Sequence, residues 1–271
     1  ANTNGGGVYV KEGNISISGG SIGAQEAPNQ AQDGGGVYVN GGDVTVTAGS
    51  IEYNEAQNGG GVYLTGGAFT LNGESASINN NRATHGGGVY LTKINPTLLQ
   101  GSITENTATE NGGGIFIDQA EVQLAPSGRV TISQNNAKNG AGIYIGGAEG
   151  NLAGFSVDAS SAGTVTLTDN IASQNGGGVY VNNGFFTMNT DHLILQKNGA
   201  QNGGAVYVNG GNATLSVGTI DQNTASQDGG GIYVNGGSVE LSGATVAGNT
   251  ATQNGGGLAV SNGNVTMLGG A

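Results

Sequence analysis

Two histidines, eighteen carboxylates and six basic side chains are all that 271 residues offer for proton transfer, metal ligation or charge stabilisation. Their spacing decides whether the chain can do chemistry. Glycoside hydrolysis needs two carboxylates converging on one bond, and β-elimination needs Lys or Arg beside a calcium-binding cluster of acids. The acids here are spread thinly. Asp118 and Glu121 lie near each other, as do Asp221 and Asp228, but neither pair is echoed one repeat away. The bases Lys11, Arg82, Lys93, Arg129, Lys138 and Lys197 nowhere join an acid triplet. No Asp-Asp or Gly-His-Gly occurs, and a calcium-binding Gly-Gly-x-Gly-x-Asp nonapeptide is missing. His85 reads as a substitution at a turn that elsewhere carries Asn or Asp. His192 adjoins Asp191, but neighbouring strand residues point to opposite faces, so joint action is not expected. Without Cys there is neither disulfide nor thiol chemistry. The residues predict a non-enzymatic protein with no catalytic site, no metal and no cofactor.

A formal charge of -12 makes nucleic acid a poor partner and discourages approach to anionic lipid headgroups. No apolar run is long enough to span a bilayer, so direct membrane insertion is not expected. The sequons at Asn14, Asn212 and Asn264 are chance products of an Asn- and Thr-rich composition.

What must position any functional side chain is a repeat. A glycine cluster followed by an apolar-aromatic-apolar triplet recurs from Val8-Tyr9-Val10 to Leu258-Ala259-Val260, and the ten triplets are 25 to 36 residues apart. Two further short runs follow each triplet, as in Val44-Thr45-Val46 and then Ser50-Ile51-Glu52. They are β-branched, alternating and bounded by Gly, Asn or Asp, which is a strand signature. Three short strands per repeat predict an all-β parallel β-helix, a solenoid of about ten coils forming one domain over 1–271. The abrupt start and stop suggest a segment of a larger protein. The longest interval places a loop insertion near 147–163, and Lys93-Ile94-Asn95-Pro96-Thr97 breaks a second strand with proline.

Period-2 alternation turns the Val, Ile and Leu of each triplet inward and the aromatic outward. Tyr9, Tyr38, Tyr63, Tyr90, Phe116, Tyr144, Tyr180, Tyr207 and Tyr233 should therefore form one stripe. It serves either as mutual support between stacked rings or as a contact surface. Beyond the third run an apolar residue is followed three positions later by Asn: Asn54, Asn81, Asn106, Asn135, Asn170, Asn198, Asn223 and Asn249. In register these make a structural ladder of amides. A second near-uniform column, Asn4, Asp33, Asn58, His85, Asn111, Asn139, Asn175, Asn202, Asp228 and Asn254, precedes the glycines and suits a tight corner of positive φ.

The spaced apolar-x-x-Asn together with Gly203-Gly204-Ala205-Val206 resembles the repeats of chlamydial polymorphic outer-membrane proteins and similar bacterial surface adhesins. The resemblance implies a right-handed, pectin-lyase-like β-helix. It also implies an autotransporter-passenger-like role on a bacterial cell surface or outside the cell, in adhesion or display. Partners would be a host surface protein, a glycan or a sister molecule. Two alternatives remain: a self-assembling extracellular filament subunit, and a polysaccharide lyase or glycoside hydrolase of the β-helix class. An ice-binding array is a weaker fit, because the outward set Ser16, Thr45, Thr70, Gln123, Thr187, Thr214, Glu240 and Thr266 is interrupted by Gln and Glu.

Overall fold

The computed structural model describes residues 3–94, 99–147 and 153–269, and no helix occurs among them. The triplets head strands such as Val37–Asn40, Val62–Thr65, Val89–Thr92 and Ile115–Asp118, which stack in parallel and in chain order. Each strand meets its own equivalent one turn on: Val37 faces Val62, Tyr38 faces Tyr63 and Val39 faces Leu64. The ten triplets bound about nine turns, one fewer than the expected coil count.

The second runs Glu121–Leu124, Gly154–Val157, Phe185–Met188 and Asn212–Leu215 stack into the same 14-stranded sheet as the triplets, because Ile232–Leu241 carries both runs without a break. In the opening turns the second run instead merges with the third, giving Val44–Glu52 and Phe69–Asn79. A nine-stranded sheet continues from these through Leu99–Thr104, Arg129–Ser133 and Thr164–Thr168. The outward polar set therefore divides. Ser16, Thr45 and Thr70 face one another on the nine-stranded sheet, whereas Gln123, Thr187, Thr214, Glu240 and Thr266 belong to the other, where Ser156 lies between Gln123 and Thr187.

A fourth wall was not visible in the repeat consensus. Short strands including Thr107–Asn111, Asn136–Asn139 and Gly199–Ala200 form a seven-stranded sheet just after the Asn column. Its inward residues are alanines, and Ala108, Ala137, Ala141 and Ala172 make a small core of their own. This wall lies too close to the glycine clusters for anything larger. A Cβ added to Gly113 would stand 2.5 Å from the carbonyl oxygen of Asn136, a residue of this wall.

The main core is a single file of side chains from the other walls. Val37, Val39, Leu64, Val46, Ile51 and Ile78 are fully buried, each worth about 1.5–3 kcal/mol of transfer free energy. The chain leaves this file by a left-handed residue immediately before the buried Asn. Only at Gly248 is that residue glycine; Tyr53, Asn80, Glu105, Gln134, Asp169, Lys197 and Gln222 adopt φ of 54–58° there. Non-glycine residues pay about 1–2 kcal/mol for that conformation, and the ladder of amides described below offsets it.

The interval 147–163, expected to hold a loop insertion, also contains a strand. Residues 148–152 lie outside the described residues, but Gly154–Val157 is a regular strand. Its Phe155 is fully buried and packs 6.1 Å from the Phe186 ring. The apolar alternation of Phe155 and Val157 keeps the segment in the wall, and part of the surplus length falls in a turn after it. There Asp158 Oδ1 accepts the Ser160 amide at 2.8 Å and its hydroxyl at 2.7 Å. Of the proline break, residues 95–97 lie outside the described residues.

Candidate functional site

The triplet strands hold the nine aromatics one strand spacing apart, and their rings stack. From Tyr9 to Tyr233 all eight successive pairs have centroids 4.8–5.3 Å apart and interplanar angles of 5–21°. The in-register backbone fixes the separation at about 4.8 Å, and offset stacking is the arrangement aromatic quadrupoles favour at that distance.

Stacking changes what the column can offer. Each ring between the two ends spends both faces on its neighbours, so Tyr38 and Tyr207 are only 8% and 7% exposed although they point outward. Tyr9, at one end, is 52% exposed. A sugar or peptide meeting this surface finds ring edges and hydroxyls, with no flat face to stack on. Burial raises the phenols of Tyr38, Tyr63, Tyr90, Tyr144, Tyr180 and Tyr207, and that of Tyr63 is pushed up to about 12 with Asp33 adding to the effect. The column thus presents neutral hydroxyls that both donate and accept.

Polar residues flank the rings on both sides. Some of the hydroxyls are reached by the residue two positions beyond the aromatic of the next turn: Tyr90 donates to Asp118 Oδ2 at 3.2 Å, and Asn235 donates to Tyr207 at 3.3 Å. On the other side runs the corner column, where Asn139 donates to Asn111 at 3.1 Å and Asn175 to Asn139 at 3.2 Å. The positive φ expected there belongs to the first glycine after each member, as at Gly34 (64°) and Gly203 (63°). His85 is the turn substitution in this column. It accepts or shares a 3.4 Å contact with the Asn111 amide, leans on the Phe116 ring at 5.4 Å, and burial lowers its pKa.

The expected amide ladder is buried except at Asn249, which is half-buried. Asn54, Asn106, Asn135, Asn170, Asn198 and Asn223 are fully enclosed and Asn81 nearly so. From Asn81 to Asn249 each side-chain oxygen accepts two bonds from the preceding turn, and each Nδ2 also donates to a carbonyl one turn back, as Asn81 does to Ile51 at 2.9 Å. A ninth member escaped the sequence reading: Asn29 donates to Asn54 Oδ1 at 2.9 Å. Residues 23–28 intervene between Ile22 and Asn29, so the three-residue spacing that marks the others is lost.

The carboxylates serve these columns separately. Asp221 Oδ2 accepts from Gln196 and Gln222, while Asp228 Oδ1 accepts from Asn254 at 2.7 Å. Asp191 and His192, expected to point apart, instead touch at 3.3 Å, because they occupy a turn between Phe185–Met188 and Leu193–Gln196 where strand alternation does not apply. The tripeptide Asn189-Thr190-Asp191 leads into this pair. Asp191 is 83% exposed, and His192 Nδ1 lies 3.1 Å from the Ser161 carbonyl. Among the described residues no three His, Cys, Asp or Glu side chains converge on one point.

A parallel, glycine-cornered solenoid with columns of identical residues defines a β-helix repeat protein. The comparisons agree: the right-handed β-helix region matches residues 1–198, and the chain belongs to that family. Residues 218–235 match the Chlamydia polymorphic membrane protein repeat, a stretch that holds Ile220, Asn223 and the glycines before Ile232. Neither a curated protein nor a solved structure matches the chain.

Proposed function

We propose that the chain is a structural and adhesive rod of a bacterial extracellular or cell-surface protein, with no chemistry of its own. Its partner is a host surface protein, a glycan or a sister rod, met along the tyrosine column. The observation that carries this reading is the unbroken stack of eight aromatic pairs, bordered on both sides by hydrogen-bonded polar columns. Such a surface is rigid, repetitive and rich in neutral donors and acceptors, which suits many weak contacts made at once. The match to a surface-protein repeat over 218–235 supports the location. The separate engagement of Asp118, Asp221 and Asp228 in different columns favours display over hydrolysis, which needs paired carboxylates.

The test is adherence of beads coated with the rod to cultured epithelial cells. Double substitution Tyr63→Ala and Tyr144→Ala should lower bead retention while the rod stays folded by circular dichroism. Retention unchanged by the substitutions, or release of unsaturated sugars from polysaccharide by the unmodified rod, would sink the reading.

A further inference from the structure

A second surface, on the nine-stranded sheet, is built differently from the tyrosine column. In the early turns the second and third runs are one strand, as in Phe69–Asn79. From Arg129–Ser133 onward the third run stands alone, and the corner before it is a turn at 126–128 and again at 158–163. Where the two arrangements meet lies an open groove of about 570 Å³ across successive turns, lined by Glu74, Ser102, Ser127, Arg129, Thr131 and Thr164.

The register makes the lining orderly. Ser102 faces Thr131, and Arg129 faces Thr164, so hydroxyls repeat at the strand spacing while a guanidinium stands at the edge. Arg129 and Glu74 are both exposed. Among the described residues neither takes part in an ion pair.

We infer that this groove binds a short neutral oligosaccharide lying along the rod axis. The volume is within the range of ligand sites, about 300–1,000 Å³. Hydroxyl side chains both donate and accept, as sugar hydroxyls do. A carboxylate can accept from two adjacent sugar hydroxyls and a guanidinium can donate to two, so Glu74 and Arg129 together select a vicinal diol. The lining holds no aromatic ring for a nucleobase. Glu74 in the groove and a net charge of -12 oppose a polyanion.

This inference adds a ligand class to the adhesive reading but stands on a different face, so the two can fail separately. The experiment is calorimetric or NMR titration of the whole chain with cellotetraose, maltotetraose, mannotetraose and, as the charged comparison, tetragalacturonate. At least one neutral tetrasaccharide should bind with Kd on the order of 0.1–1 mM. Arg129→Gln and Glu74→Gln should each weaken it about tenfold, and Thr131→Val should weaken it in a rod whose circular dichroism is unchanged. Tyr144→Ala should leave it unaltered. Cell adherence of the Tyr144→Ala rod, measured in parallel, separates the ideas: adherence lost with sugar binding kept sustains the inference. No neutral binding, binding indifferent to all three groove substitutions, or a preference for tetragalacturonate overturns it.

Discussion

The side-chain oxygen of Asn81 accepts both the backbone N–H and the side-chain amide of Asn54, each at 3.0 Å. The same pair of bonds recurs one turn on, where Asn106 receives Asn81. One amide thus satisfies the turn backbone of its neighbour and holds the next amide in line. A buried network of this kind is costly to break at any member.

Removing one rung exposes that cost. Asn135 accepts from the Asn106 amide and side chain at 3.0 and 3.1 Å, and donates to Ile103 O and Asn170 Oδ1. Asn135→Ala strands several buried groups at about 1–3 kcal/mol each, for a total on the order of 4 kcal/mol. The urea midpoint should fall accordingly, and a drop no larger than that of an exposed Asn136→Ala control would contradict a buried ladder.

The aromatic column should behave as a sum of nearest neighbours. Tyr144 stacks on Phe116 at 4.9 Å and Tyr180 at 5.1 Å, whereas Tyr9 stacks on Tyr38 alone. With about 0.5–1.5 kcal/mol per pair, Tyr144→Ala should cost roughly twice as much as Tyr9→Ala. Equal losses in chemical denaturation would show that the stack adds little.

Alkaline pH tests the same column through its hydroxyls. Burial raises Tyr63 from the ordinary 10.0 to about 12, and raises Tyr90 and Tyr180 in the same direction. Because the folded values exceed the unfolded one, the contribution to stability is fully present below pH 10.0 and is lost as pH rises through about 12. Phenolate absorbance of the folded rod should therefore lag that of the urea-unfolded chain. Coincident titration curves would exclude buried phenols.

The left-handed residues before each buried Asn offer a stabilising change. Gln134 holds φ of 55°, where the equivalent Gly248 has 61°. Gln134→Gly should raise stability by about 0.5–1 kcal/mol, since relief of the side-chain clash exceeds the added chain entropy. Thermal melting would check this, and a lower Tm would count against it.

Whole turns should be removable. Deleting residues 206–231 joins Ala205 to Ile232, the equivalent of Val206 one turn on. The shortened chain should fold and unfold cooperatively at a somewhat lower urea midpoint, since each turn touches only its neighbours. Circular dichroism showing an unfolded product would be incompatible with the stacked arrangement.

Three of the walls, the inward triplets and both polar columns were legible because each recurs at a near-constant period, and Val, Tyr or Asn at a repeated place needs no tertiary context. What escaped were features without a period. The fourth wall contains strands as short as Gly199–Ala200, too brief for alternation to register. Asn29 was hidden by an insertion before it. Asp191 and His192 were placed on a strand that the chain had already left. The groove near Arg129 arises where one arrangement of turns gives way to another, which no single repeat records.

The amide ladder also has a direction. From Asn29 to Asn223 each side-chain nitrogen gives one proton to the next Asn toward the C-terminus, and from Asn54 to Asn249 each side-chain oxygen receives from the N-terminal side. The two ends of the rod are therefore chemically unlike, one led by donors and the other by acceptors. A chain emerging gradually through a narrow exit would find, at each new turn, a waiting half-made seam of the correct polarity, so that assembly can advance like a ratchet without searching for its register.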